Sequence, residues 1–204
     1  DIEATSTGSL GLDMTQAAVG GYSFLTVTSQ TPDLNSGDFR ALGDADYYVV
    51  LFGSNFGYGG GPVPTSGTIN RILEIDNNQV VFDMIDLSLP ASQFADWVST
   101  GNTNAAYTTI FAGNDYHQGT DFADTLRGYG GSDVLNGLGG DDTAIYAGSS
   151  SNYRLTSYNG LVAVVPTSGS EAVDRLVNME NVLFQGNGTS VSTSTATPFD
   201  ALGY

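Results

Sequence analysis

The sequence has no cysteine and no lysine, and it has one histidine in 204 residues. Without cysteine no disulfide can stabilise the fold, so an extracellular protein of this kind needs another stabilising cross-link, for which bound metal is a candidate. One histidine and no cysteine exclude an H-E-x-x-H zinc protease site within this chain. The five cations are all arginines against 22 acidic residues, and the net charge of −17 makes nucleic acid and anionic membranes poor partners.

Long apolar runs are also missing, and no stretch is long enough to span a bilayer. The sequence does not begin with Met and carries no N-terminal signal peptide, which we interpret as processing or as excision from a longer chain. Its length allows one domain or two small ones with a real core. The 27 glycines, with many Ser, Thr, Asn and Tyr, favour strands and turns over helices.

A nine-residue repeat runs from Ile110 to Ile145. Its four copies are IFAGNDYHQ, GTDFADTLR, GYGGSDVLN and GLGGDDTAI, and they approximate G-G-x-G-x-D-x-U-x, where U is a large apolar residue. Glycine permits positive φ and lets carbonyl oxygens point inward. Aspartate adds an anionic oxygen, and calcium takes six to eight oxygen ligands. The spacing therefore predicts a calcium-binding parallel β-roll.

The copies do not match the pattern fully. The first has His117 at the apolar position, the second has Phe122 and Ala123 in place of a glycine and a small polar residue, and the fourth has the small Ala144 at the apolar position. A glycine- and aspartate-rich loop without an ion is the alternative interpretation. Four copies in one register favour calcium.

The repeats resemble the RTX (repeats-in-toxin), or hemolysin-type calcium-binding, family of secreted bacterial proteins. In that family two repeats form one coil, so turns on the same side are eighteen residues apart. The resemblance implies that Asp115 and Asp133 share one ion and that Asp124 and Asp142 share a second. It implies type I secretion and an extracellular or cell-surface location. The further candidate metal-binding residues of the turns are Gly113, Asn114, Gly131, Gly140 and Asp141.

Two flanking segments extend the resemblance to about residues 88–186. The segment SLPASQFADWVSTGNTNAAYTTIFAGND resembles one that precedes such repeats, and VDRLVNMENVLFQG resembles the D-x-L-x-N-x-E-x-L-x-F stretch that closes many such rolls. Residues 1–87 resemble no family. We expect a specific function to lie there.

The remaining patterns predict a mainly all-β protein. We expect an N-terminal β-rich domain over 1–108 with one short helix near 90–100, the roll over 109–146, and a β-rich C-terminal cap and tail over 147–204. Residues 104–111 are left open between helix and irregular structure. The individual predictions are strands Tyr22–Thr28 and Tyr47–Phe52, a loop Gly57–Pro64, a hairpin of Ile69–Ile75 with Gln79–Leu87, a helix Ser88–Thr100 ended by Gly101, and a hairpin of Tyr153–Ser157 with Leu161–Val165 around Asn159-Gly160.

No arrangement of residues predicts catalysis, so we expect no enzyme. The acidic candidates are scattered without a spacing that singles out a pair, and they are Asp44, Asp46, Glu74, Asp83 and Asp86. His117 is expected to be an edge or roll-facing side chain. An aromatic cluster is more often half core and half surface, but it could line a sugar-binding face; it comprises Tyr47, Tyr48, Phe52, Phe56 and Tyr58.

The resulting hypothesis is an extracellular calcium-binding structural protein that assembles with its own copies into a filament, surface layer or matrix. Residues 1–20 and 187–204 have little hydrophobic periodicity, and at least one of these tails is expected to contact another subunit. Two alternatives remain: a carbohydrate-binding or adhesive module with glycan partners, and an ancillary calcium-binding domain of a larger secreted enzyme.

Overall fold

The fold is described from a computed structural model of the chain, for residues 3–5, 39–43, 47–61, 63–76, 79–167 and 172–198. Among these, the residues up to Ile110 belong to one compact unit and those from Phe111 onward to another. We call them the N-terminal and the C-terminal unit. The predicted strand Tyr22–Thr28 and the acidic candidates Asp44 and Asp46 lie outside the described residues.

The N-terminal unit contains an antiparallel sheet in the order β1–β5–β4–β3–β2, with β6 beside one end of β4. β3 is longer than predicted and runs on to Gly57, where Thr65 N donates to Gly57 O at 2.8 Å and closes the predicted loop. The predicted hairpin of β4 and β5 is confirmed. The strands are β1 Glu3–Thr5, β2 Phe39–Gly43, β3 Tyr47–Gly57, β4 Ser66–Asp76, β5 Gln79–Met84 and β6 Leu89–Pro90.

Two helices follow the sheet, α1 Ala91–Thr100 and α2 Thr103–Ile110, and the second is the stretch that was left open between helix and irregular structure. α1 begins three residues later than predicted because Leu89 pairs with Ile69 of β4 as a strand residue. Its end is as predicted, and Gly101 N–H donates to the carbonyl of Trp97. The two helices and the sheet share a buried apolar core formed by Val49, Leu51, Ile69, Ile72, Phe82, Met84, Phe94, Trp97, Ala106, Tyr107 and Ile110.

The C-terminal unit begins with one short strand per repeat: β7 Tyr116–Gln118, β8 Thr125–Leu126, β9 Val134–Asn136 and β10 Thr143–Tyr146. Successive strands alternate between two sheets, since β7 pairs with β9 and β8 pairs with β10, both in parallel. This is the predicted parallel β-roll of two coils. The side chains at the U position fill the space between its sheets, and all four are fully buried: His117, Leu126, Leu135 and Ala144.

A third coil continues the roll beyond the repeats. It consists of β13 Asp174–Val177, parallel to β9, and β14 Asn181–Phe184, parallel to β10. Leu176 and Val182 add to the same buried column of side chains. The segment that resembles the family's closing stretch therefore adds one more turn of the roll.

The predicted hairpin of β11 Tyr153–Tyr158 and β12 Leu161–Pro166 is confirmed and lies in sequence between the second and third coils. Its turn residues Asn159 and Gly160 both have positive φ, as a two-residue hairpin turn requires.

The C-terminal tail pairs with its own unit. β15 Thr189–Ser192 lies antiparallel to β14, and β16 Thr197–Pro198 lies parallel to β11. At the other end of the chain, β1 pairs with β5 of the N-terminal unit. These described parts of both tails thus pair within the chain, and contact of a tail with another subunit stays a prediction.

Candidate metal centre

The four repeat aspartates lie inside the roll. Each is the last residue of a turn and directly precedes a strand, and Asp115, Asp124, Asp133 and Asp142 are all buried, Asp142 completely. Burial of an anionic carboxylate is costly unless it is paired, hydrogen-bonded or bound to a cation. The groups that contact these carboxylates therefore determine whether the turns can bind a cation.

The structure brings the aspartates together in two columns, one on each side of the roll. Asp115 N donates to Asp133 Oδ1 at 2.9 Å, and Asp124 N donates to Asp142 Oδ1 at 2.8 Å. Both contacts join residues eighteen positions apart, which is one coil. The two pairs are those that the family resemblance implies.

Both columns gain a member that the repeat pattern does not contain. Asp133 N donates to Asp174 Oδ1 at 2.9 Å, and Asp142 N donates to Glu180 Oε2 at 2.8 Å. Tyr146 Oη fixes the other oxygen of Asp174 at 2.9 Å. Asp174 and Glu180 were missed because the 147–173 segment separates them from the repeats. The sequence did contain a signal, since Asp174 and Glu180 each stand two positions before a large apolar residue, Leu176 and Val182. The glycines that mark the repeats are absent there.

Glycine is required where neighbouring coils touch. Gly131 has φ 119°, and a Cβ there would overlap the carbonyl oxygen of Gly113 in the coil before. Gly140 has φ 135°, and a Cβ there would overlap the backbone of Phe122. These contacts are again eighteen residues apart. The predicted turn glycines thus place backbone carbonyls beside the carboxylate columns.

Asn114 and Asp141 lie at the surface, and both side chains bond to a neighbouring coil. Asn114 Oδ1 accepts from Ser132 N, and Asp141 Oδ1 accepts from Asn181 Nδ2, both at 2.8 Å. These oxygens help to hold the coils in register. Metal binding by these two residues stays a prediction.

The columns raise the pKa of the carboxyls at their centres. Burial raises the pKa of Asp133 to about 7, and although the bond from Asp115 N opposes this, the charges of Asp174 and Asp115 add to it. Burial likewise raises the pKa of Asp142 to about 6, with contributions from the charges of Asp124, Glu180 and Asp141. A cation beside these oxygens would favour the ionised forms.

The residues of this site fit a calcium ion. Asp142 Oδ2 is buried and has no hydrogen-bond donor among the described residues, so an acceptor with a full charge lacks a partner. A Cβ at Gly137 would overlap that same oxygen, so only glycine leaves it room. Buried carboxylates next to backbone carbonyls form the all-oxygen ligand set that calcium prefers.

Without calcium, the C-terminal unit should be more stable in acid than at neutral pH. Asp133 and Asp142 bind protons more tightly when folded than at the ordinary value of 3.8. This stabilising contribution is complete below about pH 4 and is lost as the pH rises through about 6 to 7. Thermal unfolding of metal-stripped protein at pH 4.5 and pH 8 measures it. Excess calcium should weaken the trend, whereas a metal-free melting temperature that rises with pH would contradict it.

His117 lies in the core of the roll rather than at an edge. Burial lowers its pKa to about 4, so the ring is neutral at physiological pH. Phe111 packs against it edge-on with ring centroids 5.1 Å apart. One ring nitrogen lies within 4.8 Å of carboxylate oxygens of both Asp115 and Asp133.

Of the acidic candidates that the structure describes in the N-terminal unit, Asp83 and Glu74 do not form a pair with each other. Asp83 makes a two-pronged ion pair with Arg71 at 2.7 and 2.8 Å. Asp83 of β5 lies opposite Leu73 of the neighbouring strand β4, so these two side chains are on the same face of the sheet. Successive residues of a strand point to opposite faces, so Glu74 lies on the other face. Asp86 is exposed.

The aromatic cluster is partly covered. Arg71 lies over the ring of Phe52 at 5.1 Å, and Tyr48 and Phe56 are half-buried. Of the four cluster side chains that the structure describes, Tyr58 alone is exposed. A broad aromatic platform is therefore not formed by these four.

No helix among the described residues is long and apolar enough to cross a membrane.

Comparison with known proteins identifies the repeat region. No curated protein and no solved structure matches the chain significantly. Residues 110–144 match the family model of the RTX calcium-binding nonapeptide repeat, in four copies. This match covers the four repeat aspartates, and this segment of the chain is an RTX calcium-binding repeat region.

Proposed function

We propose that the protein is an extracellular calcium-binding structural protein that assembles with copies of itself into a filament, surface layer or matrix. In this proposal calcium ions lie between Asp115 and Asp133 and between Asp124 and Asp142, and the role is non-catalytic. The observation that supports the calcium part is that the four buried aspartates of the RTX repeat region lie in two hydrogen-bonded pairs.

Calcium binding would couple to folding of the roll. Each column holds three acidic residues from successive coils. The two repeat aspartates of each column are buried, and their like charges repel one another in a poorly solvated interior. A ligand that binds the folded state and not the unfolded chain stabilises the fold by mass action. The roll would then form outside the cell, where calcium is plentiful.

Assembly is supported by an exposed apolar pair at the tip of the hairpin. Tyr158 is 64% exposed and Leu161 is 45% exposed, and they lie opposite each other at the end of β11 and β12. Because the described parts of the tails pair within the chain, we assign the contact between copies to this tip instead. With no lysine and a net charge of −17, copies repel one another until cations neutralise them.

Light scattering at micromolar protein, with millimolar calcium and with chelator, tests the assembly. Scattering should rise in calcium, and Tyr158→Ser combined with Leu161→Ser should reduce it strongly because the tip loses its apolar surface. Tyr58→Ser is the matched control, since Tyr58 is an exposed tyrosine of the other unit. A strict monomer in both conditions would refute assembly and favour the adhesive module.

A further inference from the structure

His117 is a departure from the repeat pattern that the calcium proposal does not use. It occupies the U position of the first copy, where the other copies have Leu126, Leu135 and Ala144. Its side chain is fully buried, and neither ring nitrogen has a hydrogen-bond partner among the described residues. A buried polar group without a partner is destabilising, so its presence in an apolar column calls for an explanation.

The surroundings of His117 supply that explanation. Along a strand, residues two apart point to the same face, so Asp115 and His117 both point into the roll. The adjacent coil brings Asp133 to the same place. The ligand atoms of these three buried residues all lie within 4.8 Å of one another.

We propose that Asp115, His117 and Asp133 form a binding site for a divalent transition metal of the zinc class. Calcium selects oxygen ligands alone, whereas one imidazole nitrogen with carboxylate oxygens is a donor set that zinc accepts. Tetrahedral zinc binds such donors at about 2.0–2.2 Å, which places them roughly 3.3–3.6 Å apart, so the cluster would contract by at most about 1.5 Å. The second column, at Asp124 and Asp142, has no imidazole and stays a calcium site.

This site gives the first coil a different metal preference from the rest of the roll. The proposed site does not depend on assembly between copies. Zinc should compete with calcium for Asp115 and Asp133 but not for Asp124 and Asp142. The full chain allows an unambiguous test of the ligand, because His117 is its only histidine and it has no cysteine. Any imidazole bound to a metal must therefore belong to His117.

The experiment titrates zinc chloride into full-length, metal-stripped protein refolded in millimolar calcium, and follows binding by calorimetry. Zinc-edge X-ray absorption of the loaded protein reports whether an imidazole is a ligand. We expect one zinc ion per chain with one imidazole. His117→Leu should weaken binding by about a hundredfold or more and remove the imidazole signal. This variant should fold, because leucine stands at the equivalent position of two other copies.

Asp121→Asn is the control, because Asp121 is an exposed aspartate of the repeat region that belongs to neither column, and its replacement should leave zinc affinity within about twofold. Circular dichroism in calcium checks that each variant is folded and separately reports the response to calcium. A wild-type protein and a His117→Leu variant with equal zinc affinity, or bound zinc without an imidazole ligand, would overturn the site. A missing response to calcium would instead count against the calcium proposal and leave the imidazole measurement valid.

Discussion

Removal of calcium should unfold the C-terminal unit while the N-terminal unit stays folded. Each ion at a hundred times its dissociation constant adds about 2.7 kcal/mol to stability, so two ions add about 5 kcal/mol. This is comparable with the whole stability of a small domain, about 5–15 kcal/mol. The N-terminal unit has its own apolar core and no repeat aspartate.

The single tryptophan separates the two units in this experiment. Trp97 is buried in α1 of the N-terminal unit, so its fluorescence maximum should not shift with chelator. Strand signal in circular dichroism should fall, and hydrogen exchange should accelerate over residues 110–186. Asp133→Ala should lower calcium affinity more than Asp115→Ala, because Asp133 bonds to the coil before and the coil after. Unchanged circular dichroism and melting temperature in excess chelator would rule out this coupling.

Gly131→Ala should destabilise the roll severely even in saturating calcium, whereas Gly130→Ala should not. Gly131 holds a positive φ, which costs a residue with a Cβ about 1–3 kcal/mol, and the new methyl would overlap the Gly113 carbonyl oxygen. Separating the two coils to relieve this overlap also moves the calcium ligands apart. We expect the melting temperature of the C-terminal unit to fall by roughly 10–20 °C.

Gly130 is a closely matched control because it is the adjacent residue. A Cβ there meets no atom within 4 Å. Differential scanning calorimetry of both variants in the same calcium buffer gives the comparison. Equal melting temperatures for the two variants would show that the coils do not stack in the register described.

The repeat period carried most of the information about the roll. The family resemblance implied that two repeats close one coil, and with the spacing of nine residues this placed Asp115 beside Asp133 and Asp124 beside Asp142. The turn pair Asn159-Gly160 between two strand candidates likewise predicted the hairpin. Local rules of this kind are visible in sequence because the contacts recur at a fixed separation.

Contacts with no fixed period were not predictable in the same way. The third coil reaches Asp174 and Glu180 over separations of 41 and 38 residues, and these acidic residues lack the glycines that mark the repeats. The pairing of the tail strands β15 and β16 also escaped prediction, since their polar sequence has no apolar alternation. The early start predicted for α1 failed because Leu89 joins a strand, which is decided by a partner on β4.

The most direct test of the calcium account is a crystal structure grown in calcium, with the ions located by anomalous scattering. The account predicts one ion between Asp124 and Asp142, and one between Asp115 and Asp133 when no zinc is present. Carboxylate and backbone carbonyl oxygens should surround each ion at about 2.3–2.6 Å. Turns over residues 110–145 without anomalous peaks, or with these four aspartates facing solvent, would contradict it.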